Sequence, residues 1–233
     1  MISNSKIWIV SDVDGTLMDH FYDLTPAKET INWLQRLGVP VILCTSKTKS
    51  EVKIIRDDLN LKDPYIVENG GAIYGEYTDG KEWEIILGKS YSILEKILNS
   101  LSENINFKLR PLNTLTDDEA TDLTGLEGES LNLMRDRHWS MPFLNPPQNF
   151  DEDLKRLCEI YAVDIFRGNR MSHLLSKHSN KGLAIKKLLN KSNNSNVQII
   201  GLGDSPNDLP LLINSDYKVV ISGIKGPNHI LLN

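Results

Sequence analysis

The chain has 233 residues, 40% hydrophobic and 24% charged, which suits one large folded domain or a core carrying a smaller insertion. With 26 basic and 31 acidic residues, the net charge is −5. That balance argues against broad attraction to nucleic acid or an anionic membrane and leaves room for a local basic pocket.

In chain order, "KIWIV" (Lys6–Val10) is a short apolar run, expected as a strand buried on both faces. "TPAKETINWLQRLG" reads as a helix with Thr25 as N-cap, Pro26 in the first turn and an apolar stripe of Ile31, Leu34 and Leu37. Gly38 stops it. "VPVILCT" is a second buried strand. "SKTKSEVKIIRDDLNL" is an amphipathic helix with Val52, Ile55 and Leu59 on one face. "YIVENGGAIY" is a strand entering a turn, and "AIYGEY" pairs with "EWEIIL" as a hairpin across Asp79-Gly80. This alternation predicts a parallel α/β sheet with right-handed crossovers.

From residue 88 to 170 the pattern becomes that of a mixed α/β insertion. It holds helices at "SYSILEKILNSLSEN" and "FDEDLKRLCEIYA", a Pro-rich turn at "MPFLNPPQ", and two short strands, "VDIFRG" and "RMSHLL". Residues 1–87 and 171–233 form the expected core. Its second part has a helix at "NKGLAIKKLLNK" with Leu183, Lys187 and Leu188 near one side, a polar loop "NKSNNSN", a buried strand "VQIIGLGDS", a short helix "PNDLPLLINS" and a final strand "YKVVIS". Cys44 and Cys158 lie in apolar runs and cannot make a disulfide framework, so a reducing compartment is expected. "MISNSK" is not a signal segment, and no apolar run approaches the roughly 18 residues of a membrane span. A cytoplasmic protein is expected.

Ligands of parallel sheets bind beyond the carboxyl ends of the strands, and chemistry-bearing residues collect there. Asp12 and Asp14, in "DVDGT", follow the first strand; alone they read equally well as an Asx-type turn. Thr45 and Ser46 follow the second strand at a helix start, where they suit an anion or a simple cap. Asp204 and Asp208, in "GDSPND", follow another strand, and Lys181 opens the helix before it. Acids converging at one edge repel unless a cation joins them, and an all-oxygen ligand set favours Mg²⁺ beside phosphate. The set suits phosphoryl transfer, which works by positioning and charge stabilisation.

At these residues the sequence resembles the haloacid dehalogenase superfamily of phosphatases, through "DVDGT", "TS", a Lys before a helix and "GDSPND" in that order. The resemblance implies a Rossmann-like parallel-sheet core with an inserted α/β cap. More narrowly, "CTSKTKSEV", "PYIVENGGAIY", "LTGL", "RMSH" and "GLGDSPNDLPLL" look like the mannosyl-3-phosphoglycerate phosphatases and their glucosyl-specific relatives. That family's cap usually has an acid in the stretch reading "WSMPF" here; Met141 stands in its place, which leaves the sugar open.

By this resemblance Asp12 is the nucleophile and Asp14 the general acid and base. Thr45 and Ser46 hold phosphate, and Lys181 neutralises charge. Mg²⁺ sits on Asp12, the Asp14 carbonyl and Asp204, while Asp208 and Asn207 support the site. The substrate is a small phosphorylated sugar-glycerate, and no nucleic acid or membrane partner is implied. Glu68, Asn69, Arg137, Arg170 and His173 are the preferred cap-side contacts, with Arg135 and Arg167 as further candidates; each also reads as an ordinary surface or turn residue. Alternatives are a phosphatase or phosphomutase for another sugar phosphate, and a non-catalytic sugar-phosphate-binding regulator.

Overall fold

A computed structural model describes residues 5–19, 23–168, 170–192, 196–223 and 226–232. The first unit runs β1 (Ile7–Ser11), α1 (Thr25–Arg36), β2 (Val41–Leu43), α2 (Lys49–Asp58), β3 (Tyr65–Val67), β4 (Ala72–Glu76) and β5 (Glu82–Ile86). A second unit follows: α3 (Tyr91–Asn104), α4 (Asp117–Thr124), α5 (Gly128–Arg135), β6 (Ser140–Leu144), α6 (Asp151–Tyr161), β7 (Val163–Arg167) and β8 (Met171–Ser176). The chain then returns to the first unit with α7 (Lys181–Ser192), β9 (Gln198–Gly203), α8 (Leu209–Ile213) and β10 (Tyr217–Val220).

The core sheet is parallel, in the order β10-β9-β1-β2. β3 adjoins its edge through a parallel bridge between Cys44 and Ile66, then turns into the antiparallel β3-β4-β5 sheet. Alternation along β1 sets the layers. Trp8 and Val10 pack with Ile42, Ile66 and α7's Ala184, Ile185 and Leu188. The other face of the sheet packs Val41 and Leu43 against α1's Ile31, α2's Val52 and Ile55, and Leu59 just past α2. The result is a sheet covered by helices on both sides, which explains why its strands read as continuous apolar runs. Both cysteines are buried and free, and no helix among the described residues is long and apolar enough to cross a membrane.

The second unit is an antiparallel sheet, β6-β8-β7. Leu94, Leu98 and Leu101 of α3 and Leu154 and Leu157 of α6 pack against Phe143 and Leu174 on that sheet. Each such side chain contributes about 1.5–3 kcal/mol on full burial.

Several local expectations change. The first two concern α1: Thr25 is its first residue rather than its N-cap, which is Leu24, and the Thr25 N–H donates to Asp23 Oδ1 at 2.8 Å; Leu37 is 58% exposed and leaves the apolar stripe. The buried side of α7 is Ala184, Ile185 and Leu188, while Leu183 is exposed; helical period places 184, 185 and 188 together. The expected turn at Met141–Leu144 is strand β6. It is an edge strand, where a proline such as Pro142 is tolerated because no neighbour needs its missing N–H. Finally, β8 pairs with β6 and β7, so the inserted sheet extends to Ser176 rather than ending at 170. Of the expected polar loop at 190–196, residues 190–192 finish α7 and 193–195 lie outside the described residues.

Candidate active site

Strand β1 delivers Asp12 to the carboxyl edge of the sheet, and its backbone N–H is fixed to Leu202 O of β9 at 3.0 Å. The chain then turns through Gly15, at φ +76°. A Cβ there would lie 2.6 Å from Asp204 Oδ2, so the loops after β1 and β9 touch at this glycine. The loop after β9 is organised by Asp208, whose Oδ2 accepts the backbone N–H groups of Asp204 and Ser205 at 3.1 Å each. Pro206–Asp208 form a single tight helical turn ahead of α8.

Lys181, the first residue of α7, joins these loops. Its ammonium lies 2.6 Å from Asp12 Oδ1 and 2.5 Å from Asp208 Oδ1. All three side chains are nearly or fully buried. Burial opposes the charge on Lys181, but the carboxylates of Asp12 and Asp208 outweigh it and hold its pKa above the ordinary lysine value. For Asp12, burial dominates over the attraction of Lys181 and pushes the carboxyl up to about 7. Asp204 is also raised, by burial first and by Asp208 second.

Oxygens of Asp12, Asp204 and Asp208 all lie within 4.8 Å of one another, and Asp204 Oδ1 is buried with no hydrogen-bond partner. An orphaned carboxylate oxygen beside two further acids fits a hard cation. Asp208 is fully engaged with Lys181 and two backbone amides, which suits it to support. Asn207 steadies the same loop: its amide donates to Asn69 Oδ1 at 3.0 Å, and its Oδ1 accepts from the Ser205 hydroxyl.

After β2 the chain enters the second loop. Thr45 is buried, with its N–H held by Ile66 O at 3.1 Å and its Oγ1 accepting from Lys47 N at 3.2 Å. Thr48 caps α2 in a reciprocal pair with Glu51. Of the two expected phosphate contacts, Ser46 lines the cavity between the units, while Thr45 is fully buried and is not part of that lining. Lys47 is a member of the site that sequence reasoning missed: its ammonium lies 2.9 Å from Asp14 Oδ1. Its position two residues past Thr45 in the same loop is the only signal that could have found it.

A cavity of about 580 Å³ opens above these loops, between the two units. Asp14, Ser46, Lys47 and Asp204 line its floor, and Arg137, Arg170 and His173 line the opposite wall. Arg137 donates to Met134 O, Ser46 O and Ser140 Oγ, and Arg170 donates to Thr124 O at 2.6 Å. Burial first, and the nearby Arg137 second, depress His173 to about 3 and keep its ring neutral. Arg167 also reaches the cavity but is paired with Asp151 at 2.7 Å. Arg135 is turned away, paired with Asp117 at 2.5 Å. Met141 is buried in the second unit's own core.

Two expected contacts part company at the end of β3. Asn69 lines the cavity. Glu68 does not. It is fully buried, and its carboxylate accepts from His138 N (2.9 Å), Trp139 N (3.0 Å) and Ser140 Oγ (2.6 Å). It fastens the two units together and has no oxygen to offer a substrate.

Residues 9–138 and 138–223 match the family described as haloacid dehalogenase-like hydrolases. Over 93% of its length the chain is 30% identical to a glucosyl-3-phosphoglycerate/mannosyl-3-phosphoglycerate phosphatase of Persephonella marina, of which it covers 85%. Its fold is similar to that of a haloacid dehalogenase-like hydrolase from B. subtilis, with a TM-score of 0.65 at 18% identity over 93% of this chain and 89% of that one. A second such hydrolase, from Bacteroides thetaiotaomicron, matches with a TM-score of 0.67 at 15% identity over 93% and 94%. The chain belongs to the haloacid dehalogenase-like hydrolases, as a phosphatase of that family.

Proposed function

We propose that this phosphatase hydrolyses a glycosyl-3-phosphoglycerate, with mannose or glucose as the sugar, to the glycosylglycerate and inorganic phosphate. The observation that carries the reading is the buried Lys181 bridge between Asp12 and Asp208 beneath a cavity roofed by cations. The similarity to the Persephonella marina phosphatase supports the choice of substrate.

Lys181 occupies Asp12 Oδ1, so Oδ2 is the oxygen that attacks phosphorus. As the new P–O bond forms, the bond to the substrate's alkoxide breaks, and Asp14 gives that alkoxide a proton. Water then attacks the aspartyl-phosphate while Asp14 takes its proton. The bond to Asp12 breaks and phosphate leaves. Thr45 Oγ1 and the Ser46 amide hold the phosphate oxygens, and Lys181 offsets their charge. Mg²⁺ would be held by Asp12, Asp204 and the Asp14 carbonyl, and when bound it supplies further neutralisation of the phosphate. The glycerate carboxylate and sugar hydroxyls face Arg137, Arg170 and the neutral His173, a guanidinium being well matched to a carboxylate. Such a product is a small anionic polyol acid of the compatible-solute kind, and the reaction would run in the cytoplasm.

The test is Mg²⁺-dependent phosphate release from mannosyl- and glucosyl-3-phosphoglycerate beside a panel of simple sugar phosphates, with Asp12→Asn as control. Preference for a glycosyl-3-phosphoglycerate by at least about tenfold in kcat/KM is expected. Equal or better turnover of simple sugar phosphates would replace the substrate. Binding without turnover of anything would turn the reading to a regulator.

A further inference from the structure

Glu68 and Asn69 are consecutive, and both hold left-handed backbone conformations, at φ 48° and 57°. Neither is a glycine, so each conformation carries a strain cost that the surroundings must offset. The dipeptide is anchored by Glu68 N to Lys47 O at 3.0 Å and Asn69 N to Thr45 O at 2.9 Å. It is therefore tied to the loop that carries the phosphate-binding groups. From that base the two side chains point in different directions. Asn69 reaches Asn207 in the acidic loop. Glu68 reaches the second unit, where three donors from the consecutive residues His138, Trp139 and Ser140 converge on its carboxylate.

Ser140 passes this restraint onward. Its Oγ donates to Glu68 Oε2 at 2.6 Å and accepts from Arg137 Nη1 at 3.0 Å. The same Arg137 nitrogen donates to Ser46 O at 3.0 Å, and Arg137 lines the cavity. A carboxylate buried with no cation among its described partners is costly unless its acceptor sites are filled. Glu68 fills them with the backbone of the wall it holds. Contact is close enough that a Cβ on Gly71 would lie 2.4 Å from Trp139 Cβ.

We infer that Glu68 is a positioning residue: through Ser140 and the 138–139 amides it fixes the Arg137 guanidinium over the phosphate-binding loop, and so sets how tightly the distal part of the substrate is held. The inference rests on the proposed phosphatase reading. It touches no reacting atom, so its loss weakens binding of long substrates and leaves the chemistry at Asp12 in place.

Steady-state kinetics of Glu68→Gln, Glu68→Ala and Ser140→Ala test this, using p-nitrophenyl phosphate and whichever phosphorylated sugar the wild-type enzyme hydrolyses best. The short ester lacks the glycerate carboxylate that the Arg137 guanidinium is proposed to hold. Expected are a rise in KM of roughly tenfold or more for the sugar phosphate with kcat within about threefold, and little change for the short ester. Glu68→Gln, which keeps one acceptor oxygen, falls between wild type and Glu68→Ala. Combining Ser140→Ala with Arg137→Ala adds less than the product of the single effects. Hydrogen exchange of the 138–140 amides, measured without substrate, rises in Glu68→Ala and does not depend on which sugar is correct. Equal losses on both esters, multiplicative effects in the double variant, or unchanged exchange at 138–140 would each overturn the inference. Failure of every glycosyl-3-phosphoglycerate as substrate would instead overturn only the proposed substrate.

Discussion

Replacing Lys181 with Met removes the one cation between two buried acids. At an effective dielectric of ~20, charges 2.6 Å apart attract by about 6 kcal/mol, and the Asp208 contact is of the same size. Desolvation of three ionised groups cancels much of that sum, so the useful figure is the cost of breaking a buried pair by deleting one partner, about 3–5 kcal/mol. That is a large share of the roughly 5–15 kcal/mol that holds a folded domain together. In urea, with a slope of ~2 kcal/mol per molar, the unfolding midpoint should fall by about 2 M, measured by circular dichroism without added divalent cation. Adding Asp208→Asn neutralises one orphaned acid and keeps an oxygen for the Asp204 and Ser205 amides. The double variant should therefore recover a good part of the stability while phosphate release stays lost. A Lys181→Met protein unfolding at the wild-type midpoint, or a double variant weaker than the single, would refute the reasoning.

Other outcomes follow from the same geometry. Asp14→Asn should lower kcat by about 10²–10⁴, yet with p-nitrophenyl phosphate, whose leaving group needs no proton, a burst of p-nitrophenol should persist in stopped flow. Gly71→Ala should cost about 1–3 kcal/mol from overpacking against Trp139, read as a lower melting temperature. His173 stays neutral in the fold down to about 3, whereas the unfolded chain protonates near 6.5. The unfolded state thus binds more protons across that window, and stability should fall as pH drops below 6.5, by up to ~1.4 kcal/mol per pH unit from this group. His173→Gln should flatten that slope; an unchanged slope would show that the ring does not titrate as argued.

The floor of the site was legible in part because Asp12, Thr45 and Asp204 come just after apolar strands, and strand ends in a parallel sheet converge. Lys181 does not obey that rule, since it opens α7 after a strand of the inserted sheet, and it stood out only jointly with the other three and through the family resemblance. The supporting part expected of Asp208 came from the family resemblance, and its Oδ2 is taken up by the Asp204 and Ser205 amides. The roof was harder. β6 was hidden by Pro142, Pro146 and Pro147, which locally signal a turn, and only pairing with β8 makes an edge strand of it. Lys47 sits among other lysines and hydroxyls, and its tie to Asp14 depends on the fold of two loops. Glu68 was rightly suspected of facing the second unit, but its partners lie about 70 residues away, and no local pattern separates a contact with substrate from a contact with protein.

The order of strands has a consequence for synthesis. β1 lies between β2 and β9, and its register joins Ile7 to Gln198. The inserted sheet and its helices are contiguous in sequence, with all partners between residues 91 and 176. A chain emerging from the ribosome therefore has everything it needs to build the roof before its own first strand can find a neighbour on the β9 side. Until then Asp12 waits without the lysine 169 positions downstream. The proposed nucleophile is thus made well before the lysine and the acidic loop that bury it.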